Sequence, residues 1–110
     1  MTSKQNSTHP DPTGQLTTLR ERIDNIDAAL IYMLAERFRC TNDVGKLKAA
    51  FQLPACDPTR EKEQLTRLHA LAKDSGLDVT FTEKFFAFLV GHVIANHEAI
   101  AAEHSPESDS

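Results

Sequence analysis

Between Leu16 and Leu53 the chain contains no proline and one interior glycine, Gly45, and its large apolar residues return at intervals of three and four. Leu19, Ile23, Ile26, Leu30, Met33, Cys40, Val44, Leu47 and Phe51 fall on one seam, the spacing of a helix that buries a stripe against other helices. At 1.5 Å per residue this helix would run roughly 52–57 Å, whereas a compact monomer of this size is about 34 Å across. A helix that overhangs its own domain with an apolar seam along its length needs another chain to cover it. A two-fold dimer is the commonest closed solution; a bend or break near Gly45 is the competing one.

The seam has one misfit. Position 37, where the spacing calls for an apolar side chain, is Arg37. A guanidinium stays charged, so it is costly in a packed seam unless an anion meets it, and breaking such a pair costs about 3–5 kcal/mol. Lys48 lies three turns further along on the same side, about 16 Å away, with Val44 between them. Together they would form one wall of a site with a positive charge at each end. Arg20 is roughly 25 Å from Arg37 along the axis, too far to share a small ligand within one helix. In an antiparallel dimer the partner's Arg20 can return alongside. The formal net charge is -4, which argues against a nucleic-acid partner. An anionic ligand must therefore be met by a local basic cluster.

The remaining chain predicts two more helices. Asp57-Pro58-Thr59-Arg60-Glu61 is an N-cap, a proline at the first helical position and a first-turn acid. Leu65, Leu68, Leu71 and Ala72 give this helix a short buried face, and Gly76 is its left-handed stop. Thr80-x-x-Glu83 reads as a capping box for a third helix that carries Phe85, Phe86, Phe88, Leu89, Val90, Val93, Ile94 and Ile100 to about Glu103. The first helix is expected to start near Leu16–Thr18, capped by Thr17 or Thr18, and to end near Leu53-Pro54. No segment alternates like a strand. The fold class is all-α, in the order long, short, medium, over residues 16–103, with flexible tails at 1–15 and 104–110.

Several functions are disfavoured. No run approaches 18 apolar residues, so no membrane span is expected. The N-terminus lacks the apolar core of a secretory signal, and Cys40 and Cys56 have no C-x-x-C spacing. These point to a reduced, cytoplasmic protein in which Cys40 is a small buried seam residue. His92 and His97 are about 140° apart around their helix, and no other spacing offers a metal site. No Ser or Cys is paired with a base. Asp57 alone reads as a cap, and His97, on an apolar face with Val90, Val93 and Ile100, alone reads as a core histidine. The remaining candidates are cations and hydrogen-bond donors, suited to binding or to a reaction driven by positioning and electrostatics.

Four fragments occur in order: Leu19-Arg20-Glu21-x-Ile23-Asp24-x-Ile26-Asp27, Leu34-Ala35-Glu36-Arg37, Val44-Gly45-x-x-Lys48 and Asp57-x-x-Arg60-Glu61. On a long, short, medium helical plan this pattern resembles the all-helical chorismate mutases, over residues 16 to 103. The resemblance implies an intertwined homodimer that rearranges chorismate to prephenate without cofactor or metal. It implies that Arg37 and the partner chain's Arg20 hold the two substrate carboxylates. Lys48 would bind a carboxylate and the ether oxygen, Glu61 and Asp57 the ring hydroxyl, and Arg60 would close the site, with Val44 on its wall.

Two positions depart from the family pattern. His97 falls where members carry a glutamine or glutamate that donates to the ether oxygen, and Val93 where a serine often contacts a carboxylate. A histidine can donate through a ring N–H, which moves His97 from core to site, with activity expected to rise as it becomes protonated. Val93 removes a polar contact, which bears on substrate affinity. The alternatives are an isochorismate pyruvate-lyase, against which Glu61 argues, a mutase for an amino-substituted chorismate, and a helical dimerisation module without catalysis.

Overall fold

The computed structural model of the chain describes residues 11–104. They form three helices, α1 Pro12–Ala50, α2 Pro58–Ser75 and α3 Val79–Glu103, with no strand among the described residues. This is the long, short, medium all-α order that the sequence predicts. The chain divides into a unit ending at Arg37 and a second beginning at Phe38. The expected tails fall largely on residues 1–10 and 105–110, outside the described residues.

α1 opens earlier than expected. Asp11 caps it, Oδ2 accepting from the Gly14 N–H at 2.8 Å and Oδ1 from that of Thr13 at 3.3 Å. Pro12 takes the first helical position, where its missing N–H would have had no partner. Asp11-Pro12 is thus the same start signal as Asp57-Pro58. It is obscured because the turn that follows, Thr13-Gly14-Gln15, carries no apolar residue to reveal a helical period.

α1 also closes earlier, at Ala50 rather than Leu53. The Leu53 N–H bonds back to the Lys48 carbonyl at 2.8 Å and the Gln52 N–H to that of Ala49 at 3.2 Å. With Gln52 at φ +55°, these are the two bonds of a Schellman stop, here made without glycine.

α2 forms as its signals predict. The Asp57 side chain accepts from the Arg60 N–H at 3.1 Å, Pro58 opens the helix, and Gly76 ends it at φ 80°. Of its expected buried face, Ala72 is buried and Leu65 and Leu68 are half-buried, whereas Leu71 is exposed.

α3 corrects the expected capping box. Its cap is Asp78, which accepts from the Phe81 N–H at 2.9 Å, and Glu83 instead pairs with His69 of α2 at 2.8 Å. α3 packs on α2, and its Phe86, Leu89 and Ile100 join Ala72 in the core, with Thr82 and His97 as the buried polar residues. Thr82 is satisfied by donating its hydroxyl to the Asp78 carbonyl at 2.9 Å. Contrary to expectation, α3 is long and apolar enough to cross a membrane by composition, with a mean hydropathy of 1.4 over its most apolar window. The core helix of a globular protein meets the same criterion; α3 packs on α2, but only 22% of that window is buried in the single chain.

Within the second unit, α1 meets α3 through small and polar residues. Gly45 is buried, Thr41 and Ala49 are half-buried, and Asn96 donates to Asn42 at 3.3 Å. The apolar seam is on another face. In the single chain Leu19, Ile23, Ile26, Leu30, Met33, Val44, Leu47 and Phe51 are between 44% and 70% exposed, and Cys40 is exposed as well.

Candidate active site

The turn between α1 and α2 gathers several of the candidate residues. Because α1 stops at Ala50, the chain doubles back through Pro54 and Ala55, and the Lys48 ammonium donates to the Ala55 carbonyl at 3.1 Å. An ammonium has three N–H donors. This bond uses one and holds the others in place.

Two residues on, the Cys56 thiol donates to Glu61 Oε2 at 3.6 Å. The thiol is pushed above the ordinary cysteine value by desolvation, by this hydrogen bond and by the charges of Glu61 and Asp57, with Lys48 opposing. Cys56 therefore remains a protonated donor near neutral pH. Its electrostatic neighbours are three of the residues singled out by sequence, so Lys48, Asp57 and Glu61 form one cluster. Glu61 is half-buried and Asp57 exposed. One Asp57 oxygen is occupied by its cap bond to Arg60, whose side chain is exposed.

His97 is 3% exposed, and its ring lies against α1. Nε2 is 2.8 Å from the Thr41 carbonyl oxygen. A carbonyl only accepts, so Nε2 carries the proton and donates. The neutral ring has one N–H, and it is committed to Thr41. Nδ1 is buried and has no hydrogen-bond partner. Gly45 permits this approach, since a Cβ there would come within 2.6 Å of His97 Cδ2 and 2.8 Å of Ile100 Cδ1. Val93, one turn earlier on α3, is half-buried, and Val44, beside Gly45, is 44% exposed.

Arg37 and Arg20 lie in the first unit. Arg37 is half-buried, and its Nη1 is buried without a hydrogen-bond partner; Arg20 is exposed. The misfit recognised in the sequence is thus an unpaired buried donor in the structure. Sequence reasoning missed Thr41, Ala55 and Cys56. The first two act through backbone carbonyls, which leave no trace in a sequence. For Cys56 the signal was its place beside the Asp57 cap. Among the described residues, no three of His, Cys, Asp and Glu converge as metal ligands would.

Three helices in the order long, short and medium, with Lys48, Asp57 and Glu61 gathered at the turn between α1 and α2, define an all-helical domain. The match to known proteins is specific. The chorismate mutase type II model matches residues 19–98. A bifunctional chorismate mutase/prephenate dehydratase of Escherichia coli (strain K12) is 33% identical over 81% of this chain and 23% of its own length. A chorismate mutase of Methanocaldococcus jannaschii is 33% identical over 71% of this chain and 79% of its own. A T-protein of Enterobacter agglomerans is 36% identical over 58% of this chain and 17% of its own. The chain therefore spans about a quarter or less of the multi-domain relatives it matches, and most of the shorter one. The chain belongs to the chorismate mutase type II family.

Proposed function

We propose that this chain is a chorismate mutase, active as a homodimer, that rearranges chorismate to prephenate in the synthesis of aromatic amino acids. One observation carries the proposal. The family match covers residues 19–98, and so includes Arg20, Arg37 and Lys48, which charge and spacing single out, as well as Asp57, Arg60, Glu61 and His97, whose site roles the resemblance implies. Relatives named chorismate mutase, at 33% identity, support the same reaction.

The roles follow from the groups that each residue has to offer. Chorismate is a dianion. Arg37, whose buried Nη1 lacks a partner, takes one carboxylate in bidentate fashion, and Arg20 of the partner subunit takes the other. Lys48 keeps its bond to Ala55 and directs its remaining donors to a carboxylate and the ether oxygen. Glu61 uses Oε1 for the ring hydroxyl while Cys56 holds Oε2, and Asp57 uses its second oxygen. Arg60 closes the site; Val44 and Val93 line it.

The rearrangement needs no proton transfer and no cofactor. Its carbon–oxygen bond breaks ahead of carbon–carbon bond formation, so negative charge grows on the ether oxygen. Fixed donors there bind the transition state more tightly than the ground state, and that difference is catalysis. The arginines meanwhile hold the enolpyruvyl arm over the ring in the reactive conformer.

The dimer rests on the exposed seam of α1. Two rows of large apolar side chains, exposed in the single chain, are what a second copy would cover, and the dimer would bring Arg20 in trans. The two cysteines, neither in a disulfide, fit a cytoplasmic enzyme. The experiment is to supply chorismate and isochorismate separately and to measure prephenate, pyruvate and salicylate. Prephenate from chorismate is expected. Pyruvate from isochorismate without prephenate from chorismate would make the protein a lyase, a reading Glu61 disfavours. Turnover of only an amino-substituted chorismate would assign Glu61 and Asp57 to an ammonium group.

A further inference from the structure

Lys48 and Glu61 carry opposite charges on either side of one short turn, and both lie close enough to Cys56 to act on its thiol. Both are half-buried, where attraction between charges is screened less than on an open surface. No ion pair joins them, however, among the described residues. Each is held instead by one of two successive residues. The Ala55 carbonyl accepts from the Lys48 ammonium at 3.1 Å, and the Cys56 thiol donates to Glu61 Oε2 at 3.6 Å.

The backbone decides where these two residues fall. Gln52 at φ +55° turns the chain out of α1, and the Leu53 N–H closes on the Lys48 carbonyl at 2.8 Å. Lys48 is thus gripped at its carbonyl by Leu53 and at its ammonium by Ala55. On the other side, the Asp57 cap starts α2 through the Arg60 N–H, which puts Glu61 in the first turn, within reach of the thiol. A direct pair between Lys48 and Glu61 would neutralise both groups and would have to be broken before either met a ligand. A thiol is a neutral donor, so it directs one carboxylate oxygen without cancelling the charge. A backbone carbonyl does the same for one of the three ammonium donors.

We propose that Ala55 and Cys56 are positioning residues that hold Lys48 and Glu61 apart, so that an ammonium and a carboxylate reach the substrate already oriented and unpaired. The inference rests on the mutase reading of the site and deepens it. Lys48 and Glu61 meet the ether oxygen and the ring hydroxyl without first separating from each other, which spares both binding and catalysis that rearrangement. In this role Cys56 acts through Glu61 and not on the substrate itself.

Two measurements on the whole chain test this. Cys56 is exposed, so Cys56→Ala should fold and melt as the native chain does. The first measurement is a crystal structure of that variant, in which Glu61 is expected to turn to Lys48 and form the ion pair that the native chain lacks. A Glu61 carboxylate left in its native place would overturn the proposal. The second is a kinetic cycle with chorismate. Cys56→Ala should lower kcat/KM by about tenfold, the scale of a misplaced contact group, and Cys56→Ser, which keeps a donor, should recover most of it. In a Glu61→Gln background, where no carboxylate remains to capture Lys48, adding Cys56→Ala should cost nothing further. The same loss in both backgrounds would make the effect structural, refuting the spacer and leaving the mutase intact. A native chain that forms no prephenate from chorismate would refute the mutase reading, and the position of Glu61 in Cys56→Ala would still decide the spacer.

Discussion

Arg37 makes opposite demands on stability and on function. In the free protein its Nη1 is a buried donor without a partner, a condition that costs about 1–3 kcal/mol. Arg37→Leu should therefore leave thermal stability unchanged or raise it by up to about that amount, while kcat/KM for chorismate falls by about 10²–10³-fold, the scale of losing one preorganised charge. Thermal melts and steady-state kinetics on the same preparation decide between roles. A variant that melts earlier and keeps its turnover would make Arg37 a structural residue. Cys56 offers a chemical test at the same scale. Desolvation, followed by the bond to Glu61 and the neighbouring acids, raises its thiol, so at pH 8 less of it is thiolate than in an unperturbed cysteine. Alkylation by iodoacetamide should be slower than for a small free thiol, and Glu61→Gln should speed it. Equal rates in native protein and variant would mean that the 3.6 Å contact has no energetic weight.

The elements show what a sequence displays and what it conceals. α2 was legible from cap to cap because Asp57, Pro58 and Gly76 each use local backbone chemistry that a side chain advertises. The start of α1 used the same chemistry at Asp11-Pro12, but no apolar residue in the following turn marked it as helix. The expected box at Thr80 gave way to Asp78, because Glu83 found a partner on another helix, His69, and a local motif cannot foresee that competition. Lys48 was legible from charge and spacing, and Asp57 and Glu61 joined it only through the family resemblance; the carbonyls of Ala55, which holds Lys48, and Thr41, which holds His97, were not legible at all. The end of α1 yields a prediction. Gln52 adopts φ +55°, a left-handed conformation that costs a residue with a Cβ about 1–2 kcal/mol, partly offset by glycine's greater unfolded-state entropy of about 0.4–1 kcal/mol. Gln52→Gly should stabilise the chain by about 0.5 kcal/mol, read from the midpoint of urea unfolding. A lower midpoint would show that the Gln52 side chain contributes something beyond the turn.

At the scale of the whole molecule, α1 has two faces with separate tasks. Small residues at Thr41, Gly45 and Ala49 admit α3 and the His97 ring, whereas the large side chains from Leu19 to Phe51 remain open in the single chain. A stripe this apolar along so long a helix is the surface expected at a two-fold interface, and Arg20, exposed on the same helix, would then serve the neighbouring subunit. The proposal can be tested by complementation. Arg20→Ala and Arg37→Ala should each be nearly inactive as homodimers, since each lacks one carboxylate clamp in both sites. If equal amounts are unfolded together and refolded, random pairing makes half of the dimers mixed. In a mixed dimer one site receives the intact Arg37 of one subunit and the intact Arg20 of the other, while the second site lacks both. Activity should recover to about a quarter of that of the native protein. Were Arg20 to act within its own chain, every site in the mixture would carry one of the two lesions, and no activity would return.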